Sequence, residues 1–346
     1  MSKPVTMKEI AERAQVSIGT VSHVVNGTAP VREKLRNRVL EVVALLGYQP
    51  SALARALRRD STNMLGMVIP DITNPFFPGV VRGVEDVAFK NSYRLILCNT
   101  DNDPAKEKAY IDELRSYRPA GLFIIPAAER GLSSELGYAI PQGIPLIFLD
   151  RRPSDWKGDA VVVANEDGAF QATQYLLKMG HTRLAMLSGP PHVAVADQRL
   201  AGFRRALAKH KVTIMPEYVQ ETRFDRDSGY RSALRLLNML PRPTAIFAAN
   251  DMVALGAMLA IRELGLHCPK DVSLIGFDDL ELGMFTDPAL SSVHQSGYQM
   301  GATAARILME RIAGKKGRAQ QIVLPTELRI RNSVVLPNTN NTDRSA

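Results

Sequence analysis

Residues 6–26 read TMKEIAERAQVSIGTVSHVVN, and this pattern predicts two short helices joined by a tight turn. Thr6 and Glu9 have the spacing of a capping box, in which the two side chains satisfy backbone groups at a helix start. Ser17 is a favoured N-cap residue for a second helix, and Gly27 is a favoured residue just past a helix end. The stretch therefore predicts a helix-turn-helix pair.

The apolar positions of the pair decide which side faces outward. Those that recur at helical spacing are Ile10, Ala11, Ala14, Val21, Val24 and Val25. A helix-turn-helix places the early part of its second helix in the major groove of DNA. The first-helix cap and the second helix therefore supply the expected DNA contacts, which are Thr6, Ser17, Ile18, Gly19, Thr20, Ser22, His23 and Asn26.

Charge is concentrated at the same end of the chain. The net charge of the 346 residues is +8, and residues 1–60 hold ten Lys/Arg against five Asp/Glu. A basic face is often only a solvated surface, but here it coincides with the predicted DNA-reading motif. A basic module on a nearly neutral body suits contacts with DNA phosphates.

Several classes of protein are excluded or disfavoured by composition. Two cysteines, Cys98 and Cys268, do not make a disulfide framework and fit a reducing compartment. The sequence shows no apolar leader and no run long enough to span a bilayer, so we expect a cytoplasmic protein with no membrane partner. The chain carries no phosphate-binding or nucleophile motif and no metal-ligand spacing, so no enzyme activity, cofactor or metal is expected.

Periodicity divides the chain into parts. A third helix, with apolar residues from Leu35 to Leu46, completes an all-α domain over 1–50, and 51–61 reads as a hinge helix and linker. From Met64 onward, runs such as MLGMVI and VSLIGF alternate with amphipathic segments, which predicts an α/β core of parallel sheets with helices on both faces. About ten strands suggest two lobes. The expected boundaries are 62–336 for the core, about 62–164 and 294–325 for the N-lobe, about 165–293 and 326–336 for the C-lobe, and 337–346 for a disordered tail.

Polar and aromatic residues follow many of these predicted strands. Ligands of open α/β sheets bind outside the carboxyl ends of the strands. The expected ligand contacts are Asn74, Phe76, Phe77, Asp150, Arg151, Arg199, Phe224, Asn250, Asp278 and Gln295. Carboxylates, amides and arginines can pair with hydroxyl groups, and aromatic rings can cover the C–H faces of a sugar. The set therefore suits a small polyhydroxylated ligand.

Each of these residues also has an ordinary structural interpretation. Phe76 and Phe77 could belong to the core, Arg199 could form a surface ion pair, and Asn250 could cap the helix that follows it. A pair of acids could also serve glycoside hydrolysis, although here both carboxylates would pair with hydroxyl groups. We favour binding, because the residues form one set at strand ends.

The chain resembles the LacI/GalR family of bacterial transcription regulators from about Val5 to Val335. The segments that carry the resemblance are VTMKEIAERAQVSIGTVSHVVNG, LGYQPSALARAL, LIGFDD and RIRNSV. It implies a homodimer on near-palindromic operator DNA, with a periplasmic-binding-protein-like core that holds a small effector between its lobes. Ile18, Gly19 and His23 match the base-reading positions, although Gly19 departs from the polar side chains common there. Leu57 matches a hinge leucine that wedges into the minor groove, and Ala54 lies beside it.

The core is also similar to the bacterial ribose-binding protein. The segments NPFF, LDR, FDR, AANDMVALGA and GFD resemble its sugar-site segments. Purine-responsive relatives carry polar residues where this chain has Val193 and Val195, which argues against a purine. The resemblance therefore implies ribose or a close monosaccharide, and it disfavours ribose phosphate because the site shows no additional basic cluster.

These implications lead to one expected mechanism and two alternatives. A repressor of a sugar-use operon is expected to leave its operator when the sugar binds. The ligand could instead be a co-repressor that favours the DNA-bound form, or a protein partner could control the body.

Overall fold

The chain divides into two units, Met1–Thr62 and Asn63–Ala346, in a computed structural model. The described residues are 5–48, 62–127, 143–191 and 193–338. The expected hinge helix, with Ala54 and Leu57, lies outside these residues, and so does most of the expected C-terminal tail.

Three helices form the described part of the first unit: α1 (Met7–Ala14), α2 (Ile18–Asn26) and α3 (Glu33–Leu45). The caps are those expected from the sequence, because Thr6 Oγ1 accepts the N–H of Glu9 at 3.3 Å and Ser17 Oγ accepts that of Thr20 at 3.1 Å. Gly27 ends α2 with a left-handed φ of 63°. The buried core residues in the described part of the unit are Ile10, Ala11, Ala14, Val21 and Val39.

The second unit contains two six-stranded sheets. The first sheet has the order β11-β5-β4-β3-β1-β2, and all its pairings are parallel. Its strands are β1 (Met64–Ile69), β2 (Arg94–Asn99), β3 (Gly121–Ile124), β4 (Leu146–Leu149), β5 (Asp159–Val163) and β11 (Gln321–Leu324). The apolar runs in β1, β3, β4 and β5 are largely buried, as expected for strands covered on both faces.

The second sheet has the order β12-β10-β9-β8-β6-β7. Its strands are β6 (Leu184–Ser188), β7 (Val219–Glu221), β8 (Ala245–Ala248), β9 (Ser273–Asp278), β10 (Ser291–His294) and β12 (Glu327–Arg329). All pairings are parallel except that of β10 with β12. The chain enters this sheet after β5, leaves it after β10 and returns after β11.

Seven described helices cover the two sheets. They are α4 (Phe76–Lys90), α5 (Pro104–Ser116), α6 (Asn165–Lys178), α7 (Ala194–His210), α8 (Arg226–Leu237), α9 (Asp251–Glu263) and α10 (Gly297–Ile312). Helix α10 packs on α4, α6 on α7, and α8 on α9. The predicted fold class is therefore confirmed: an N-terminal helix-turn-helix unit precedes a core of two mostly parallel sheets. The carboxyl ends of the strands carry the polar residues considered next.

Candidate functional site

All ten expected ligand contacts line one cavity of the second unit, which we call the inner cavity. Its other described lining residues are Asp71, Asn102, Val195 and Arg223. Asp71 and Asn102 follow β1 and β2, so the rule that ligands bind at strand ends could have found them. Arg223 follows β7, a three-residue strand without a recognisable apolar run.

Arg199 is the central cation of the inner cavity. Its Nε donates to Asn165 Oδ1 at 2.9 Å, and its Nη1 donates to the carbonyl oxygen of Ala249 at 2.6 Å. The guanidinium carbon lies 3.7 Å from the centre of the Phe277 ring. Burial lowers the pKa of Arg199, and the nearby Asp278 carboxylate opposes that effect. These contacts fix a buried arginine with a defined orientation, so it is not the surface ion pair considered above.

Asp278 faces Arg199 from the end of β9. Its Oδ1 lies 3.6 Å from Arg199 Nη1 and accepts a hydrogen bond from Gln295 Nε2 at 2.5 Å. Burial raises the pKa of Asp278 to about 7, although Arg199 and Gln295 oppose the increase. A carboxyl group with this pKa can either accept or donate a hydrogen bond near neutral pH, which suits a hydroxyl group.

Asp150 and Arg151 form the opposite wall, at the end of β4. Asp150 has a left-handed φ of 59°, and its Oδ2 lies 3.4 Å from Arg151 Nε. Arg151 Nη1 donates to the carbonyl oxygen of Pro126 at 3.3 Å and reaches Asn102 Oδ1 at 3.5 Å. Both side chains are about 95% buried, so this wall places a carboxylate and a guanidinium group away from bulk water.

Unpartnered polar atoms concentrate at the inner cavity. Four buried side-chain atoms of the described residues have no hydrogen-bond partner, and three of them belong to Asp150 (Oδ1), Arg151 (Nε) and Gln295 (Oε1). The fourth is Asn26 Oδ1 in α2. A buried donor or acceptor left unsatisfied costs about 1–3 kcal/mol, so such atoms are rare unless a ligand uses them.

The aromatic residues close the cavity on two sides. Phe76 and Phe77 are both buried and meet edge to face, with ring centroids 5.4 Å apart. Phe224 has a left-handed φ of 64°, and its ring lies where Gly189 leaves room, since a Cβ there would stand 2.2 Å from the ring. The rings therefore serve as cavity walls as well as core.

Two amide side chains at the cavity also bind backbone groups, and for Asn250 this is the capping role considered from the sequence. Asn250 caps α9, because its Oδ1 accepts the N–H of Val253 at 2.9 Å while its Nδ2 donates to the carbonyl oxygen of Phe224 at 3.1 Å. Asn74 Oδ1 accepts the N–H of Phe76 at 3.1 Å. Helix α4 begins at Phe76, and Pro75 is its N-cap residue.

The expected DNA contacts of the first unit lie mostly on one exposed helix. Ile18 is 49% exposed, and Ser17, Gly19, His23 and Thr6 are also exposed. The half-buried contacts are Thr20, Ser22 and Asn26. The Thr20 hydroxyl pairs with that of Ser17 at 2.9 Å, and His23 Nδ1 pairs with Thr28 Oγ1 at 3.0 Å. Exposed basic side chains of the same unit are Lys8, Arg13, Arg32, Lys34, Arg36 and Arg38.

Within the part of the chain that the structure describes, none of the helices has the length and apolar character that crossing a membrane requires.

Family models match both units. The model of the bacterial regulatory proteins of the lacI family matches residues 6–51, and that of the periplasmic binding protein-like domain matches residues 173–334. A relative is the HTH-type transcriptional repressor PurR of Vibrio parahaemolyticus, 38% identical over 331 residues, which cover 95% of this chain and 98% of that protein.

Two solved structures are similar along most of the chain. The lac repressor dimer bound to operator and the anti-inducer ONPF is 27% identical, with a TM-score of 0.86 over 96% of this chain and 100% of that chain. A LacI family transcriptional regulator from Enterococcus faecium with bound ribose is 29% identical, with a TM-score of 0.71 over 80% of this chain and 100% of that chain.

Proposed function

The chain belongs to the LacI family of bacterial regulatory proteins, as a DNA-binding transcriptional repressor and not an enzyme, and we propose that a small monosaccharide controls it. The observation that carries the proposal is the clustering of unpartnered polar atoms. Asp150 Oδ1, Arg151 Nε and Gln295 Oε1 all line the inner cavity. A polyol can supply hydroxyl groups to all three, because a hydroxyl both donates and accepts.

Ribose is the monosaccharide that we favour. A solved relative of similar fold holds ribose, and the ten cavity residues are those that the ribose-type resemblance named. Val195 is buried in the cavity wall and offers no polar atom to a nucleobase. We assign the binding of ribose or a close relative to these ten residues.

The sugar is proposed to release the repressor from its operator. Two copies of the chain place their α2 helices in successive major grooves of a near-palindromic site, with Ile18 and His23 at base edges. Leu57 and Ala54 are proposed to contact the centre of the operator, on the family resemblance alone. Since the target is bacterial DNA, we place the protein in the cytoplasm.

Calorimetry with ribose tests the cavity assignment. We expect Asp278→Asn and Arg199→Ala to abolish the binding heat, because each removes one side of the buried ion pair. Arg82→Ala is the matched control, since Arg82 is 69% exposed and pairs with Asp86 on the same helix. Unchanged heats in the two cavity variants would overturn the assignment.

Fluorescence anisotropy with an operator selected in vitro tests the direction of the response. We expect ribose to weaken operator binding. Stronger binding in its presence would make the ligand a co-repressor, and no change would favour control by a protein partner. Leu57→Ala should weaken specific binding far more than non-specific binding, and equal losses would remove Leu57 from the operator centre.

A further inference from the structure

Three side chains of the inner cavity come from three neighbouring elements of the second sheet and its helices. Asn250 precedes α9, Asp278 ends β9, and Gln295 follows β10. A ligand that binds all three requires these elements to keep fixed positions relative to one another, because hydrogen bonds weaken steeply when their geometry is disturbed. Asp251 is not among the described lining residues of the cavity, yet its hydrogen bonds connect the three elements.

Asp251 is the first residue of α9 and is buried. Its Oδ2 accepts the N–H of Leu280 at 2.7 Å, and its Oδ1 accepts the hydroxyl of Ser292, in β10, at 2.6 Å. The hydroxyl oxygen of Ser292 in turn accepts the N–H of Asp279 at 3.1 Å. One carboxylate therefore holds the two backbone N–H groups that follow Asp278, one directly and the other through Ser292.

The segment held in this way, residues 278–280, is a strained turn. Asp278 and Asp279 have successive left-handed φ angles of 106° and 57°. Such angles are unfavourable for residues other than glycine, and they persist only where the surrounding structure imposes them. Without an acceptor for its two N–H groups the 278–280 turn would relax, and the Asp278 carboxylate would leave its place 3.6 Å from Arg199 Nη1.

The neighbouring strand leaves room for the carboxylate. A Cβ at Gly276 of β9 would overlap Asp251 Oδ1, so glycine permits the close approach. Ser292 is the register partner of Gly276 in β10, which brings its hydroxyl to the same oxygen. The sequence of β9 and the register of β10 are therefore both adapted to the position of Asp251.

Packing of the core gives no reason for a carboxyl group at this position. Asp251 is 1% exposed, and it forms no ion pair within the part of the chain that the structure describes. Burial raises the pKa of Asp251 well above its ordinary value, the Asp278 carboxylate adds to the increase, and the hydrogen bonds from Ser292 and Leu280 oppose it. Buried acids of this kind concentrate at functional sites.

We propose that Asp251 is a positioning residue of the effector site. Its carboxylate and the Ser292 hydroxyl hold the 278–280 turn, and the turn aims Asp278 at the sugar. The same hydrogen bonds keep Asn250 and Gln295 beside Asp278. This inference rests on the proposed function, since the site that Asp251 supports is the sugar site. Asp251 and Ser292 act through the turn and do not touch the sugar.

Calorimetry with D-ribose and the full chain tests this role in two variants. Asp251→Asn keeps the size of the side chain and replaces one of its two acceptors with an N–H₂ group. Ser292→Ala removes only a hydroxyl, so it tests the same turn if Asp251→Asn fails to fold. We expect each variant to weaken ribose binding about tenfold, the effect of about one buried hydrogen bond. The double variant should lose less than the product of the two losses, because both residues support one turn.

Two matched variants separate positioning from a general loss of stability. Ser273→Ala removes an equally buried hydroxyl at the start of β9, where Ser273 exchanges hydrogen bonds with the backbone of Val335. Asp159→Asn alters a buried acid at the start of β5, which binds Arg311 and does not line the inner cavity. Both variants should lower the Tm and leave the ribose affinity within about twofold.

The outcomes distinguish this inference from the proposed function. Wild-type ribose affinity in both Asp251→Asn and Ser292→Ala would overturn the positioning role and leave the proposed function standing. An equal loss of affinity in Ser273→Ala would also overturn it, because the effect would then follow from stability alone. A wild-type protein that binds none of D-ribose, D-xylose and D-galactose would overturn the proposed function and the positioning role together.

Discussion

Three residues of the inner cavity have backbone angles that side chains other than glycine rarely adopt. The φ angles of Asp150, Phe224 and Asp278 are 59°, 64° and 106°. Such conformations cost about 1–3 kcal/mol each, and they concentrate at functional sites where the surrounding structure imposes them. Their positions directly after predicted strands were enough to predict that these residues gather at the carboxyl edge of the sheets. The surrounding tertiary structure imposes the backbone angles that aim their side chains inward, so the sequence did not predict them.

Asp278 should make the stability of the protein depend on pH. Its folded-state pKa of about 7 lies above the ordinary 3.8, because burial disfavours the charged form. The folded protein therefore retains a proton that the unfolded chain releases between these values, and the stability contributed by this group declines as the pH rises from about 4 to about 7. We expect Asp278→Asn to raise the free energy of unfolding by about 1–3 kcal/mol at pH 8, and to raise the Tm with it. Both increases should be much smaller at pH 5.

Thermal unfolding at the two pH values measures this effect. The carboxylates of Asp150 and Asp251 interact electrostatically with Asp278, so the comparison must be between the variant and the wild-type protein at each pH. Glu281→Gln, at an exposed acid outside the inner cavity, is the matched control and should shift neither value. A variant less stable than wild type at pH 8 would show that Asp278 is not destabilised by burial.

Gly19 should lower the stability of the first unit and strengthen its binding to the operator. A Cβ at this position would meet only Ser17 Oγ, at 3.6 Å, so packing does not require glycine there. Gly19→Ala should raise the unfolding free energy of the first unit by about 0.5–1 kcal/mol, because alanine favours helix. If Gly19 faces a base, the same variant should lose about tenfold in operator affinity.

Thermal unfolding and anisotropy together check the Gly19 prediction. Asn37→Ala provides the control, because it raises helix propensity on the exposed side of α3 and is not expected at the DNA. If both variants bind the operator as tightly as the wild-type protein, Gly19 has no role in base reading.

At the scale of elements, long apolar runs were predictable and short edge strands were not. Strand β7 has three residues and β12 has three, and neither carries an apolar run. Strand β12 instead adjoins ion pairs of Asp279, which binds Arg329 at 2.8 Å and Arg331 at 2.5 Å. Asp278 and Asp279 are adjacent in the sequence, yet one faces the cavity and the other joins strands. Only their tertiary contacts distinguish them.

The loops after β6 and β7 depend on each other at the cavity. Phe224 occupies the space that Gly189 leaves open, and a Cβ at Gly189 would stand 2.2–2.7 Å from three ring atoms. We expect Gly189→Ala to displace the ring and weaken ribose binding about tenfold, which is about 1.4 kcal/mol. Calorimetry measures the loss.

The control for this loop variant is another glycine-to-alanine change. Gly317→Ala is suitable, because its Cβ would meet only the end of the Arg311 side chain at 3.5 Å. It should leave ribose affinity unchanged. Full ribose affinity in Gly189→Ala would mean that Phe224 is part of the core only.

At the scale of the whole molecule, the order of apolar runs and amphipathic segments along the chain predicted most of the fold. Alternating runs predicted parallel sheets, and the first sheet indeed combines residues 64–163 with 321–324. The identity of the effector is less accessible, because polar residues at strand ends specify a polyol without specifying which polyol. The coupling between the sugar and the operator is a further property of the whole chain.

Thermodynamic linkage fixes the size of the effects that ribose and operator have on each other. If ribose weakens operator binding by some factor, operator must weaken ribose binding by the same factor, because both describe one thermodynamic cycle. We expect a factor of about 5–150, the usual range for coupled sites, with the sign of an inducer. Anisotropy gives the operator Kd with and without ribose, and calorimetry gives the ribose Kd with and without operator.

Arg199→Ala should bind operator normally and show no effect of ribose, since it alters the sugar site and leaves the helix-turn-helix unchanged. A factor of one in the wild-type protein, with ribose bound, would show that ribose occupies the cavity without controlling the repressor, because a ligand with equal affinity for both states shifts neither.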